Sequence, residues 1–455
     1  VSLLPGLPEV KFSGLVDTAI KESATRLKSA FRKLGFRWPH RQQIIINISP
    51  AYMKKNSLGM DLALASAILW KTSQIHFNLY NSSEIYAYGE VTLDGEVRAP
   101  AGWNYLPFKN NEVCITGFSK DKNYRENNYL AETLKDLDKA HCLPVEPWKN
   151  QLIPPRVPDL YFSEAAHFLL KLAAAGEHNL LLCGEAGSGK TTLTENLYYL
   201  LNPPQKRIWE EYKGFFKAAS WRPYINPHHT TTPLSIIGGG VPLFPGEISR
   251  AHGGLLVLDE YLEFHPKVQE ALREPVEKGQ IRLVRRGQNM TFPSRFLLAA
   301  TSNLCPCGDY VPGKNNSCGY SLRRCQSYLD RLSGPMLDRF DLLAFSNQWK
   351  GKREISLKSI VKEVYEASQF RLETRKQTKM NSRLNLQELE FTTDQKILKY
   401  LPETSSYRRK QALLRVARTL SDLNKEEFIT HKSIEKAFLF TAKNFHFLKN
   451  RMLIN

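Results

Sequence analysis

Gly184-Glu185-Ala186-Gly187-Ser188-Gly189-Lys190-Thr191 decides how the rest of the chain is read. A short apolar run, Leu180-Leu181-Leu182-Cys183, precedes it. Thr192-Leu193-Thr194-Glu195-Asn196-Leu197 follows and reads as the first turns of a helix. Strand, glycine-rich loop and helix together make GxxxxGK[ST] a nucleotide site rather than a turn. Glycines let successive backbone N–H groups face phosphate oxygens, and the helix N-terminus adds partial positive charge. In that arrangement Lys190 reaches the β and γ phosphates and the Thr191 hydroxyl sits on Mg²⁺. Gly184, Glu185, Ala186, Gly187, Ser188 and Gly189 supply the cradle.

Working outward, Gly254-Leu255-Leu256-Val257-Leu258-Asp259-Glu260 is an apolar strand ending in two acids. A buried strand that delivers Asp-Glu beside a phosphate loop is the second half of an ATPase site. Asp259 is expected to hold Mg²⁺ through its water shell, and Glu260 to polarise the attacking water. Residues 296–301 form another core strand, with Asn303 just past its end. Residues 164–175 read as the helix leading into the loop. Pro227-His228-His229-Thr230, Gly238-Gly239-Gly240 and Pro245-Gly246-Glu247-Ile248 lie in a long irregular segment, and such a loop in a compact domain is usually functional. No carboxylate or cysteine stands at ligand spacing from His228 and His229, which argues against a metal there. Residues 277–292 alternate like a hairpin around Arg286-Gly287, with Arg282, Arg285 and Arg286 near its tip. Phosphate binding and a solvated basic surface are the two readings of those arginines.

The chain has 455 residues and 42% hydrophobic content, as in an ordinary multidomain globular protein. No apolar run approaches the ~18 residues of a membrane span. No secretory signal pattern opens the chain. Its net charge of +18 favours a polyanionic partner, nucleic acid before an anionic membrane, over a basic surface that serves solubility alone. Four of seven cysteines, Cys305, Cys307, Cys318 and Cys325, lie in one short segment. Four thiolates there are a candidate for structural zinc; reduced, metal-free thiols are the alternative. A cytoplasmic protein is the simplest reading.

On the N-terminal side, residues 17–34 read as an amphipathic helix, with Ile20, Ala24, Leu27, Phe31 and Leu34 on one face. A strand over 44–48, an apolar helix over 60–70, and strands over 86–92 and 95–97 around Leu93-Asp94-Gly95 follow. Pro144, Pro147, Pro154, Pro155 and Pro158 mark a linker over 144–158. Beyond 346 the chain reads as helical, with Leu413, Leu414, Val416, Ala417 and Leu420 on an apolar side.

Other stretches carry a resemblance: Gly6-Leu7-Pro8, Asp17-Thr18-Ala19-Ile20-Lys21-Glu22-Ser23, Gly89-Glu90-Val91-Thr92-Leu93-Asp94-Gly95, and Tyr328-Leu329-Asp330-Arg331-Leu332-Ser333-Gly334-Pro335-Met336-Leu337-Asp338-Arg339-Phe340-Asp341. With the phosphate loop, they resemble the ComM/YifB group of magnesium-chelatase-like AAA+ proteins over nearly the whole chain. The resemblance implies an α/β protein in three parts: a Lon-protease-like α+β domain over 1–143, an AAA+ αβα core with a parallel sheet over 159–346, and a helical lid over 347–455. The family's first strands fall before Val1, which implies preceding residues. A Ser–Lys peptidase dyad is not expected, because Asn104 aligns with the protease lysine and Ser57 sits in a different loop.

The same resemblance makes Asn303 a sensor that orients water. It makes Arg339 the finger that reaches a neighbouring subunit's ATP, with Arg331 beside it. It makes Arg408 the lid arginine on the γ-phosphate of its own chain, with Arg409 the neighbouring candidate. The His-His-Thr segment becomes an insert toward the ring channel, and the arginine hairpin a DNA contact. The family's CPC segment matches Cys305 and Cys307, but its last cysteine aligns with Tyr320. The implied function is an ATP-driven ring, expected to be a hexamer, that moves single-stranded or branched DNA by branch migration during natural transformation. Metal insertion or remodelling of a protein partner is the alternative.

Overall fold

The computed structural model describes residues 1–14, 16, 18–48, 59–76, 85–100, 113–118, 128–137, 143–144, 152–216, 220–240, 243–285, 288–312, 320–351, 354–393 and 406–449. Ser57, Asn104, Arg286 and Cys318 lie outside them. The chain divides into two units, one of residues 1–151, 210–218 and 284–289, the other of 152–209, 219–283 and 290–455. Among the described residues no helix is long and apolar enough to cross a membrane.

The first unit opens with strands β1 (Ser2–Pro5) and β2 (Val10–Ser13), helix α1 (Thr18–Leu34), strand β3 (Gln42–Asn47) and helix α2 (Met60–Lys71). β3 lies between β1, antiparallel to it, and β2, parallel to it. Ile44 and Ile46 alternate inward and meet Ile20, Leu27 and Phe31 of α1 and Leu62 and Leu69 of α2 in one core. Period 2 on the strand and period 3.6 on the helices thus bury one face of each. Asp61, buried in the first turn of α2, takes an ion pair from Arg26 at 3.0 Å and the Val91 N–H at 3.3 Å. A second sheet runs β4 (Ile85–Ala87), β5 (Val113–Thr116), β6 (Asn128–Leu130) and β7 (Leu143–Pro144), in that order. The strand expected over 86–92 is two strands, because Glu90–Val91 leaves this sheet to pair with Val97–Arg98. At the break the Gly89 N–H bonds to the Gly59 carbonyl at 2.8 Å, and Gly95 turns the ribbon at φ +86°.

In the second unit, α3 (Glu164–Gly176) starts at Ser163, whose Oγ accepts the Ala166 N–H at 3.1 Å. The chain continues through β8 (Leu180–Cys183), α4 (Lys190–Asn196), β9 (Tyr224–Ile225), β10 (Leu255–Leu258) and α5 (Arg273–Lys278). A hairpin of β11 (Gln280–Arg285) and β12 (Gln288–Pro293), whose residues 284–289 group with the first unit, leads into β13 (Leu297–Ser302), and β14 (Leu342–Phe345) follows. Five strands make one parallel sheet in the order β9-β10-β13-β8-β14. β8, β10, β13 and β14 are buried along their whole length, which is why they are apolar throughout save Thr301 and Ser302 at the end of β13.

Alternate residues of those strands fill two cores. Leu180, Leu182, Leu255, Val257, Leu297 and Ala299 join one apolar cluster, which also takes in α3, α6 (Leu357–Gln369), α7 (Tyr407–Leu423) and α8 (His431–Phe438). Leu181, Leu256, Leu258, Leu298 and Leu343 face the other, with Ile236, Tyr261, Val268, Met336 and Phe340. The helices past residue 347 therefore share a core with a face of the sheet. A short strand absent from the sequence reading, Glu354–Ser356, pairs antiparallel with Tyr161–Ser163.

Candidate active site

Three neighbouring parallel strands end at the same edge of the sheet, and each delivers polar side chains there. β8 runs into the loop 184–189, β10 into Asp259 and Glu260, and β13 into Asn303. Ligands of open parallel sheets bind at this carboxyl edge. Gly187 and Gly189 sit at φ +69° and +85°, with open space where a side chain would be. Glycine is required there by backbone angle, not by crowding. Gly184 is required by space, since a Cβ would stand 2.4 Å from Ser346 Cβ on the segment after β14.

Lys190 is buried and its Nζ donates to the carbonyls of Gly184 (2.9 Å) and Glu185 (2.8 Å) and to Asn303 Oδ1 (3.0 Å). Burial lowers its pKa, and the nearby Cys183, Asp259, Glu185 and Glu260 oppose that shift. Thr191 Oγ1 lies 3.1 and 3.0 Å from the two Asp259 carboxylate oxygens. Thr301 Oγ1 also donates to Asp259 and accepts the Glu260 N–H at 3.0 Å. Two hydrogen-bonded sets picked from separate motifs thus lie side by side at this edge, Lys190 with Asn303 and the loop carbonyls, and Thr191 with Asp259 and Thr301. Glu260 holds a left-handed backbone at φ +55°, which costs energy for a residue with a side chain.

Four further residues grip these sets: His229, from the His-His-Thr segment, and Gly308, Trp349 and Lys350, which carry no sequence motif. His229 Nδ1 lies 3.3 Å from Glu260 Oε2, and its ring stacks with His228 at 4.2 Å between centroids. The Ala186 N–H donates to the Gly308 carbonyl at 2.8 Å. Buried Trp349 donates Nε1–H to the Ser188 carbonyl at 3.1 Å, and Lys350 pairs with Glu185. The strand-end position of Asp259 and Glu260 was legible; these tertiary contacts, from residues distant in sequence, were not.

The cysteine segment does not support zinc. Cys305 Sγ lies 2.9 Å from Cys307 Sγ and 3.4 Å from Cys325 Sγ. Thiolates on a tetrahedral zinc, at ~2.3 Å from the metal, would stand about 3.8 Å apart. Among the described residues no group of three His, Cys, Asp or Glu side chains is placed to hold a metal ion.

A second cluster gathers the arginines of the 328–341 segment and of α7. Arg339 Nη2 pairs with Glu277 Oε2 at 2.5 Å, Nε donates to the Arg273 carbonyl at 3.2 Å, and Nη1 donates to the Pro335 carbonyl at 2.6 Å. Arg408 Nη2 pairs with the other Glu277 oxygen at 2.9 Å. Among the described hydrogen bonds and ion pairs, none joins Arg339 or Arg408 to Lys190, Thr191, Asp259 or Glu260. Arg408, expected at the γ-phosphate of its own chain, here stands beside Arg339 on Glu277. Arg409 is buried instead. It donates to the carbonyls of Phe340 (2.6 Å), Asp338 (2.7 Å) and Thr441 (3.3 Å), with its guanidinium 3.9 Å from the Phe445 ring centroid. Burial pulls its pKa down to about 10. Arg331 Nη1 meets Glu263 and the Leu262 carbonyl at 3.4 Å.

On the hairpin, Ile281 and Leu283 are buried, while Arg282 and Arg285 are exposed. Strand alternation sends Arg282 and Arg285 to opposite faces, so they do not form one patch.

Residues 158–353 match the family model described as magnesium chelatase, subunit ChlI, and residues 1–110 match the one described as subunit ChlI of Mg-chelatase. The uncharacterized protein YifB of Salmonella typhimurium (strain LT2) is 32% identical, over 97% of this chain and 93% of its own length. The uncharacterized protein YifB of Escherichia coli (strain K12) is 31% identical, over 97% and 93%. The competence protein ComM of Haemophilus influenzae is 31% identical, over 97% and 94%.

Proposed function

The chain belongs to the ComM/YifB family of magnesium-chelatase-like AAA+ ATPases, and from that membership we propose that it is an ATP-driven, ring-forming DNA motor. The observation that carries the hydrolytic half is the meeting of two bonded sets, Lys190 with Asn303 and Thr191 with Asp259 and Thr301, at one sheet edge. These residues fit a magnesium nucleotide. Lys190 is held on loop carbonyls, from which it can turn to phosphate, and Thr191 and Asp259 are already paired where a hydrated cation would bridge them. A Mg²⁺ bound there would neutralise charge on the β and γ phosphates.

In this mechanism the N–H groups of residues 187–190 line the phosphates, and Lys190 exchanges its carbonyl partners for phosphate oxygens. Glu260 leaves His229 and accepts a hydrogen bond from the attacking water, while Asn303 Oδ1, released by Lys190, orients that water. Arg339 and Arg408 stand together on Glu277, apart from the phosphate-loop network. We assign both charges to the nucleotide of the next subunit, in trans, in place of the own-chain contact expected of Arg408. A ring, expected to be hexameric, is the closed assembly in which every site receives such a pair.

The DNA half draws on the net charge of +18, the exposed Arg282 and Arg285, and the likeness to a competence protein. Branch migration of incoming strands during natural transformation is the activity we assign. The test is ATP turnover with and without single-stranded or forked DNA, with Glu260→Gln as the inactive control. DNA should raise turnover, and Arg282→Glu/Arg285→Glu should weaken DNA binding without lowering DNA-free turnover. Turnover and binding that ignore DNA would leave metal insertion or protein remodelling, the work of the chelatase branch, as the better reading.

A further inference from the structure

We infer that Glu277 is a positioning residue: it sets the Arg339–Arg408 pair and carries movement of the β11–β12 hairpin to it. The inference rests on the reading of Arg339 as a cation that acts on a neighbouring subunit's nucleotide.

Both oxygens of the Glu277 carboxylate are used. Oε2 takes Arg339 Nη2 at 2.5 Å and Oε1 takes Arg408 Nη2 at 2.9 Å. Two guanidinium groups brought this close repel unless an anion lies between them, so the acid fixes their spacing. Of the three groups that hold the Arg339 guanidinium, two belong to α5: the Arg273 carbonyl and the Glu277 carboxylate. Arg339 is thus clamped at both ends of one short helix. Its third partner, the Pro335 carbonyl, lies four residues back in its own segment. Glu277 itself is half exposed, so a phosphate arriving from outside the chain can compete for the same donors.

The far end of α5 is the root of the hairpin. Gly279 ends the helix at φ +70°, and β11 begins at the next residue. The Gly279 N–H bonds to the Pro275 carbonyl at 2.8 Å, and its carbonyl takes the Ser294 N–H, just past β12, at 2.8 Å. Both strands of the hairpin are therefore tied to the last turn of α5. A Cβ on Gly279 would stand 2.4 Å from Arg295 Cγ, so the junction is packed as well as bonded. A displacement of the base of β11 or β12 reaches α5 through this root, and Glu277 lies two residues before it. The coupling runs through contiguous packed and hydrogen-bonded groups.

The experiment compares Glu277→Gln, Glu277→Asp and Arg339→Ala in the full-length chain, with a single-stranded oligodeoxythymidine as probe. Glu277→Gln keeps the side chain's shape but presents an amide NH₂ to one arginine. It should lower kcat for ATP by about two- to thirtyfold, the range of typical coupling energies, with KM for ATP unchanged. It should also abolish stimulation by the oligonucleotide, and Glu277→Asp should restore part of both. Melting temperature and assembly state should stay at wild-type values, which separates positioning from a fold defect. The inference is overturned if Arg339→Ala lowers kcat while Glu277→Gln leaves kcat and DNA stimulation intact. If Arg339→Ala leaves turnover intact, the reading of the finger falls and this inference falls with it.

Discussion

The phosphate-loop network and the arginine cluster differ in what completes them. At the loop, every cation and hydroxyl of the network already has a partner from its own unit: Lys190 has three acceptors, and Thr191 and Thr301 share Asp259. The site is preorganised, and binding would exchange partners without ordering loose side chains. At the other cluster, Arg339 and Arg408 converge on a single half-exposed acid. Two positive charges on one carboxylate leave a net positive group, with Arg408 half exposed and Arg339 largely covered. That group is suited to an anion the chain does not itself supply. On the proposed function, the first region would take the nucleotide and the second would meet a second copy.

The sharpest way to break this contrast is to separate the two regions between subunits. Arg339→Ala should lower ATP turnover by about 10³- to 10⁵-fold, the usual worth of a trans arginine, with nucleotide binding retained. Lys190→Ala should lose binding as well as turnover. Mixed in equal amounts, the two inactive variants should regain part of the wild-type rate, because some interfaces then join an intact loop to an intact arginine. Mixed rings that stay at the level of the single variants would place Arg339 on its own chain's nucleotide and end the distinction.

A second contrast lies within α7, between adjacent arginines. Arg409 is sealed against Asp338, Phe340 and Phe445, whereas Arg408 is half exposed on Glu277. Arg409→Met should cost about 3–5 kcal/mol of stability, because buried carbonyls lose their donor, as measured by urea unfolding. Arg408→Ala should move stability by no more than about 0.5 kcal/mol and still slow turnover. If the two substitutions destabilise equally, Arg408 belongs to the scaffold and not to the pair on Glu277.

Much of the phosphate-loop region was legible in the sequence because its information is local. Gly187 and Gly189 answer to their own backbone angles, and Asp259 and Glu260 to their place at the end of an apolar strand. Strand-end position then brings Asn303 to Lys190 without any further signal. The arginine cluster was only half legible. Arg339 and Arg408 stood out by motif, but Glu277 is one acid among 45 acidic residues and shows its part only when α5, α7 and the 328–341 segment are packed. Gly308 and Trp349 escaped for the same reason, and His229 was picked by its segment but not for its contact with Glu260: each touches the loop region across tens of residues of sequence or more. The zinc reading failed on distances, which no spacing of cysteines along a chain determines.

The mildest test concerns how the segment behind Arg339 is held. Asp341 is buried, and its carboxylate meets His178 Nδ1 at 3.3 Å and Arg415 Nη1 at 3.9 Å. Burial alone would raise its pKa, but the hydrogen bond and charge of His178, with the charges of Arg415 and Arg409, outweigh it and leave the pKa below the ordinary 3.8. A carboxyl with a folded pKa below its unfolded value stabilises the fold above the unfolded value and loses that contribution as pH falls through the folded one. Melting temperature should therefore drop on acidification below about pH 3.8, and Asp341→Asn should flatten that limb while lowering stability at neutral pH. Because Asp341 lies two residues from Arg339 and its N–H bonds to the Asn179 carbonyl at 3.0 Å, the same variant should loosen the arginine edge more than the phosphate loop. Hydrogen exchange that rose equally at both would show the two regions to be one mechanical body.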